Sequence, residues 1–162
     1  MGIVIRETVV RDATGETANR TGRAGEHLVC AELLRAGYEC FLAEGKAPYD
    51  IVADIDGRLV RLQVKTTSGV KFCPQRVNET PVYAFGARRV GKMQRKGYES
   101  GQADLIAYVA LDSHEIAYLP AERVAQSCVF RLRQYEDRYA CKTGMFMDQF
   151  PLKAALEGLH AR

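Results

Sequence analysis

The stretch Asp50-Ile-Val-Ala-Asp-Ile-Asp-Gly-Arg-Leu-Val-Arg-Leu-Gln63-Val-Lys65 reads as a tight β-hairpin, and its register decides how the rest of the chain is read. Asp56-Gly57 is a two-residue turn signal, because both turn positions want positive φ and Asp and Gly tolerate it best. With those residues as the loop, Ile55 faces Arg58, pairing runs outward, and Asp50 stands opposite Gln63. Alternation puts Lys65 on the face of Gln63. The other face collects Ile51, Ala53, Ile55, Val60, Leu62 and Val64, an apolar set predicted to be buried. An acid, an amide and an amine are thus expected together at one end of a sheet.

Those three groups suit a metal site with a lysine beside it. A divalent ion such as Mg²⁺ takes oxygen ligands and is often held by one or two carboxylates plus substrate phosphate. Asp50 would be the anionic ligand and the Gln63 amide oxygen a neutral one. Lys65 would stabilise charge as an attacking hydroxide forms. The plainer reading is an exposed sheet face with a weak Asp50–Lys65 ion pair and a solvated Gln63.

Upstream, residues 22–38 read as one amphipathic helix with Leu28, Ala31 and Leu34 as its apolar stripe, widened by Ala24 and Val29 and stopped at Gly37. Glu26 falls in its predicted first turn. There it would simply complement the helix dipole. A capping box would need Ser or Thr three residues earlier, and Arg23 occupies that position.

In this order, a helix glutamate, Pro48-Tyr49-Asp50 and Gln63-Val64-Lys65 resemble the PD-(D/E)XK nuclease superfamily. Within it, the resemblance is nearest to the group I intron homing endonucleases that carry Gln-x-Lys. Gly25-Glu26, Ala31-Glu-Leu-Leu34, Gly37-Tyr38, Leu62-Gln-Val-Lys-Thr66, Ala103-Asp-Leu-Ile-Ala-Tyr-Val-Ala110 and Ile116-Ala-Tyr-Leu-Pro120 extend it over roughly residues 22 to 125. The resemblance implies an α/β restriction-endonuclease-like core, a central mixed β-sheet flanked by helices. It also implies metal binding by Asp50, Gln63, Glu26 and the Val64 carbonyl, with Lys65 as the catalytic lysine and Mg²⁺, or Mn²⁺ in its place, as the ion. The sequence departs from the pattern twice. Tyr49 separates the proline from the aspartate, and Gln63 stands where most members carry an acid, removing one negative charge from the site.

The chain has 162 residues, 47% of them apolar, enough for one core without staples. No stretch approaches the roughly 20 apolar residues of a membrane span, and the first residues lack a signal-peptide pattern, so a cytoplasmic location is expected. Cys30, Cys40, Cys73, Cys128 and Cys141 form no Cys-x-x-Cys pair, which argues against zinc and against a disulfide framework. His27, His114 and His160 show no ligand spacing.

Three regions are expected. Residues 1–21 would form an N-terminal arm and 22–128 the nuclease core, with a basic insertion at about 68–103; 129–162 would be a C-terminal extension. Strands are predicted near 38–43, 50–67, 82–86, 104–111 and 114–119, and a helix from Pro120 to about Ser127. The stretch 129–142 reads as either helix or strand, and 145–160 as a terminal helix or arm. Within the insertion, Arg88, Arg89, Lys92, Arg95 and Lys96 form an acid-free cluster, and the spacing 88, 92, 95, 96 would put several on one helical face if the segment were helical. The cluster suits contact with DNA phosphates, and Lys46, Thr66 and Thr67 lie near enough in sequence to the hairpin to join it. The expected function is metal-dependent hydrolysis of phosphodiesters in double-stranded or branched DNA. A homodimer or higher symmetric oligomer would cut both strands. A catalytically inert DNA-binding module is the alternative, and a hydrolase of RNA or small substrates on the same scaffold is a third reading.

Overall fold

The computed structural model describes residues 15–71, 81–86, 89–90, 95–96, 102–124, 127–135 and 145–160. The hairpin forms as its sequence dictates. Strand β2 (Ile51–Ile55) and strand β3 (Arg58–Thr67) are antiparallel, with Ile55 opposite Arg58 and Ile51 opposite Leu62. Asp56 and Gly57 sit at φ 53° and 84°, the positive values that a two-residue hairpin loop requires. One face of the hairpin, from Ile51 to Ile55 and from Val60 to Val64 at alternate positions, is buried as predicted.

Strand β1 (Glu39–Leu42) adds an antiparallel edge to β2. Next in chain order come β4 (Val82–Gly86), β5 (Arg89–Val90) and β6 (Arg95–Lys96), then β7 (Leu105–Ala110), β8 (Glu115–Pro120) and β9 (Ser127–Arg131). The main sheet has the order β1-β2-β3-β7-β8, in which β3 and β7 are parallel and every other pair is antiparallel. Every residue of β7 is buried, as expected of a central strand covered on both faces.

Helices α1 (Gly15–Arg35) and α2 (Leu152–His160) both pack on the face formed by Val60, Leu62 and Val64 of β3 and Leu105, Ala107 and Val109 of β7. Helix α2 buries Leu152, Ala155, Leu156 and Leu159, the i, i+3, i+4, i+7 stripe of an amphipathic helix. The second face is covered by strands rather than by a helix. There β4 and β9 form a separate antiparallel pair whose Tyr83, Phe85, Cys128 and Phe130 pack on Ile106, Tyr108, Ala110 and Ala117. Phe85, Tyr108 and Phe130 meet edge-on or tilted, with ring centroids 5.1 to 5.9 Å apart. The core is therefore a mixed α/β sandwich with helices on one side and a small sheet on the other.

Three local expectations are corrected. Helix α1 begins at Gly15 rather than Gly22, so part of the expected arm belongs to the core helix. Its buried stripe is Gly25, Val29 and Leu33 with Leu28 partly buried against the core, so Leu28 and Val29 of the expected face hold, while Ala24, Ala31 and Leu34 (54% exposed) lie outside. The Pro120 segment makes only a 3₁₀ turn at Ala121–Arg123, after which Val124 is extended and the chain joins β9. The end of α1 matches its sequence. Gly37 at φ +90° lets its N–H reach the Leu34 carbonyl and that of Tyr38 reach Leu33, both at 3.0 Å, as in a Schellman motif.

Asp104 locks the parallel β3–β7 pair at its start. Its carboxylate accepts from the Arg61 backbone N–H at 2.8 Å and from Arg61 Nε and Nη2 at 3.0 Å each. Its own N–H donates to the Arg61 carbonyl at 2.8 Å. Burial pushes the Asp104 carboxyl up, but the Arg61 hydrogen bonds and charge outweigh it and leave the group below its usual value. A depressed carboxyl supports the fold above the unfolded-state pKa of about 3.9, and that support is lost as pH falls through the lower folded-state value. Asp104→Asn should therefore cost about 1–2 kcal/mol near neutral pH, less than a fully buried charged pair because Arg61 is partly exposed. The difference from wild type should shrink below pH 4 in denaturant titrations; a constant difference would contradict this role.

Candidate active site

The site forms where β2 gives out beside β3. The Asp50 N–H donates to the Leu62 carbonyl at 2.9 Å, and the Ala43 N–H donates to the Asp50 carbonyl at 2.8 Å, so the backbone of Asp50 continues the ladder of both neighbours. Its carboxylate then takes over from the backbone. Asp50 Oδ2 accepts from the Val64 N–H at 2.7 Å and from Gln63 Nε2. A main-chain N–H on the central strand is thereby satisfied by a side chain, which keeps it from being buried without a partner. Gln63 Nε2 also faces the Val64 carbonyl at 3.4 Å. Asp50, Gln63 and Val64 thus meet at one point, and Gln63 is only 9% exposed.

Lys65 follows two residues later on the same face of β3, in register with Tyr108 of β7, and is half-buried. Glu26 comes from the middle of α1, not its first turn, so the helix dipole no longer accounts for it. Burial, and next the charge of Asp50, push its carboxyl above the usual value, against the opposing pull of Arg23 and His27. The two carboxylates therefore share one electrostatic environment, which a cation would relieve.

The seating of α1 explains how Glu26 reaches this place. A Cβ at Gly25 would lie 2.0 Å from Thr66 Oγ1, so only glycine lets the helix approach β3 this closely. Thr66 Oγ1 is buried there without a hydrogen-bond partner. Thr67, 4% exposed, donates its hydroxyl to the Gly69 carbonyl at 3.0 Å. Neither threonine hydroxyl faces solvent, so neither joins the site's surface. Lys46 is exposed in the turn ahead of Asp50.

The basic cluster divides. Arg88 and Lys92 lie outside the described residues. Arg89, Arg95 and Lys96 belong to an antiparallel ladder, with Arg89 opposite Lys96 and Val90 opposite Arg95, rather than to a helix. A depression of about 290 Å³ lined by Tyr83, Arg131, Arg133, Phe146 and Asp148 contains none of the site residues. Its cations and carboxylates are interleaved, and Arg133 bonds both Asp148 oxygens at 3.0 and 3.1 Å while stacking 3.9 Å above the Phe146 ring.

Two contributors escaped the sequence reading, the Gly25–Thr66 contact and the Arg61–Asp104 clamp. A glycine inside an amphipathic helix is a recognised sign of close backbone approach and pointed to the first. No local pattern marks the second, because its partners are brought together only by the parallel β3–β7 pairing.

The donor set fits a hard divalent cation. A carboxylate oxygen and a main-chain carbonyl converge on one point, an amide that can present oxygen lies between them, and a second carboxylate is electrostatically close. Among the described residues there is no cluster of three or more His, Cys, Asp or Glu. With an amide at position 63, Asp50 and Glu26 are the charged members of this set among the described residues, and its other members are carbonyl and amide oxygens. No helix among the described residues is long and apolar enough to cross a membrane.

No curated protein matches the sequence. The fold is similar to that of a bacterial homing endonuclease, I-Ssp6803I. The TM-score is 0.65 at 14% identity, covering 90% of this chain and 95% of that one. A profile of the PD-(D/E)XK endonucleases matches residues 17–147, which takes in the helix glutamate, the Asp50 turn, the Gln-x-Lys strand and the β4–β9 cover. The chain belongs to the PD-(D/E)XK endonuclease family.

Proposed function

We propose that this protein is a Mg²⁺-dependent endonuclease that hydrolyses phosphodiester bonds of double-stranded or branched DNA. The observation that carries the reading is the convergence of the Asp50 carboxylate, the Gln63 amide and the Val64 carbonyl on one point, with Glu26 electrostatically coupled to it. Asp50, Gln63, Val64 and Glu26 would hold the ion, with Mn²⁺ able to replace Mg²⁺. When bound, such an ion polarises a phosphoryl oxygen and lowers the pKa of a water. Lys65, on the same face as Gln63, would hold the attacking water and offset charge growing on the phosphate. The half-buried setting of that face limits solvent screening, so a lysine there acts more strongly than one in open water.

Positions 89, 95 and 96, with Arg88, Lys92 and Lys46, would supply phosphate contacts that position DNA without reading its sequence. Cutting both strands of a duplex would use two copies of the site in a symmetric dimer or larger oligomer. A second reading follows from the Gln63–Asp50 hydrogen bond, which satisfies the carboxylate without any cation. On that reading the chain binds DNA and does not cut it.

A panel of linear duplex, single-stranded and four-way-junction DNA separates the two when incubated with Mg²⁺, Mn²⁺ or EDTA. Cleavage in both metals and none in EDTA supports the endonuclease. Salt-sensitive binding with no cleavage in either metal supports the inert module instead.

A further inference from the structure

We propose that the Gln63 amide is a reversible stand-in for the cation. Without metal its NH₂ group holds Asp50 and the Val64 carbonyl together, and metal binding turns the amide over so that its oxygen becomes a ligand. This rests on the metal-dependent reading above and concerns how that site behaves when empty.

The argument is one of donors and acceptors. Asp50 Oδ2 and the Val64 carbonyl oxygen are both acceptors, and Gln63 Nε2 faces the two of them. An amide nitrogen carries two hydrogens and can serve both oxygens at once. If Oε1 stood there instead, it would face Asp50 Oδ2 and the Val64 carbonyl oxygen with no hydrogen to offer either. At a side chain 9% exposed, water has little access to relieve that repulsion. A divalent cation reverses the preference, since it would repel the NH₂ hydrogens and attract Oε1. The exchange is a half-turn about the last side-chain torsion and requires no movement of β3.

An acid at position 63 lacks this option, because an ionised carboxylate is acceptor-only. Its metal-free site would place a carboxylate against Asp50, with Glu26 close by. The glutamine therefore does more than lower the charge of the site. It keeps the empty site assembled, with Val64 and Asp50 in place, and the cation must displace the amide hydrogens in order to bind.

The test uses the full chain and two readouts that do not depend on cleavage. Side-chain amide NMR of wild type in EDTA should show the Gln63 NH₂ pair displaced downfield and slow to exchange. Saturating Mg²⁺ should move that pair to the position of a free amide and shift the Val64 N–H as well. In thermal unfolding, Gln63→Glu should melt about 3 °C or more below wild type in EDTA, and Mg²⁺ should raise its Tm more than that of wild type. Gln63 NH₂ resonances at free-amide positions in EDTA would overturn the stand-in whatever the metal does. A bonded amide that stays put while Mg²⁺ shifts Val64 would overturn the turnover of the amide. An absence of any Mg²⁺ response across the spectrum would instead overturn the metal-dependent reading, and the exchange with it. If Gln63→Glu fails to fold, the wild-type amide signals decide alone.

Discussion

Asp50→Asn and Lys65→Ala are each expected to lower single-turnover DNA cleavage in Mg²⁺ by on the order of 10³-fold, because each removes a group that acts on the charge of the reacting phosphate. The choice of asparagine matters. The Asp50 carboxylate also accepts the Val64 N–H at 2.7 Å, and alanine would leave that buried donor unpaired at a cost of about 1–3 kcal/mol. Asparagine keeps an acceptor oxygen for Val64 while giving up the charge that attracts the ion. Lys65→Ala removes neither the Val64 N–H nor the Gln63 Nε2 from which the Asp50 carboxylate accepts. Both variants should therefore melt within a few degrees of wild type, and both should still bind duplex DNA. Loss of DNA binding in step with activity would move the role of these residues from chemistry to binding.

Gly25→Ala is expected to destabilise the protein although it replaces a helix-interior glycine. Alanine in a helix normally gains roughly 1 kcal/mol over glycine. Here its Cβ would lie 2.0 Å from Thr66 Oγ1 and 2.9 Å from Thr66 Cγ2, so either α1 lifts from β3 or the threonine is forced out of its rotamer. Overpacking of this kind costs about 1–3 kcal/mol, enough to outweigh the gain in helix propensity. Thr66→Ala removes both clashing atoms together with a buried hydroxyl that has no partner. Alone it should be close to neutral. Combined with Gly25→Ala it should restore most of the lost stability, a favourable coupling of about 1 kcal/mol or more in a double-mutant cycle. Strict additivity of the two changes would contradict the packing assigned to this contact. Since Glu26 follows Gly25 on the same helix, Gly25→Ala should also reduce cleavage by more than its effect on stability explains.

The readable parts of this chain were those fixed by short-range geometry. Asp56-Gly57 admits essentially one kind of turn, and a two-residue loop leaves no freedom of register, so the Asp50–Gln63 pairing followed from counting. The stop at Gly37 was equally local. What could not be read depended on partners distant in sequence. Leu28, Ala31 and Leu34 are spaced as regularly as Gly25, Val29 and Leu33, and hydrophobicity favours the first set. The rotation of α1 is chosen instead by the absence of a side chain at Gly25, which matters only once Thr66 is opposite. Gly22 also disguised the helix start, because glycine is a poor helix former and reads as a boundary.

The same logic explains the segment after Pro120. Proline at an early helical position suggested a helix. The residues beyond it alternate buried Cys128, exposed Val129 and buried Phe130, a period-two pattern that is satisfied by pairing with β4 across more than 40 residues of chain. That pairing covers the second face of the sheet. At the candidate site, the juxtaposition of Asp50 and Gln63 was legible and the orientation of the Gln63 amide was not. It depends on which oxygens lie opposite, and the sequence does not encode that locally.

The measurement that bears most directly on the central claim is an anomalous difference map from crystals of the wild-type protein grown with duplex DNA and soaked in Mn²⁺. A peak within about 2.0–2.3 Å of an Asp50 carboxylate oxygen and of the Val64 carbonyl oxygen, with Gln63 Oε1 turned toward it, is the predicted result. A fully ordered site with no peak there, or with the ion bound away from Asp50, would contradict the account.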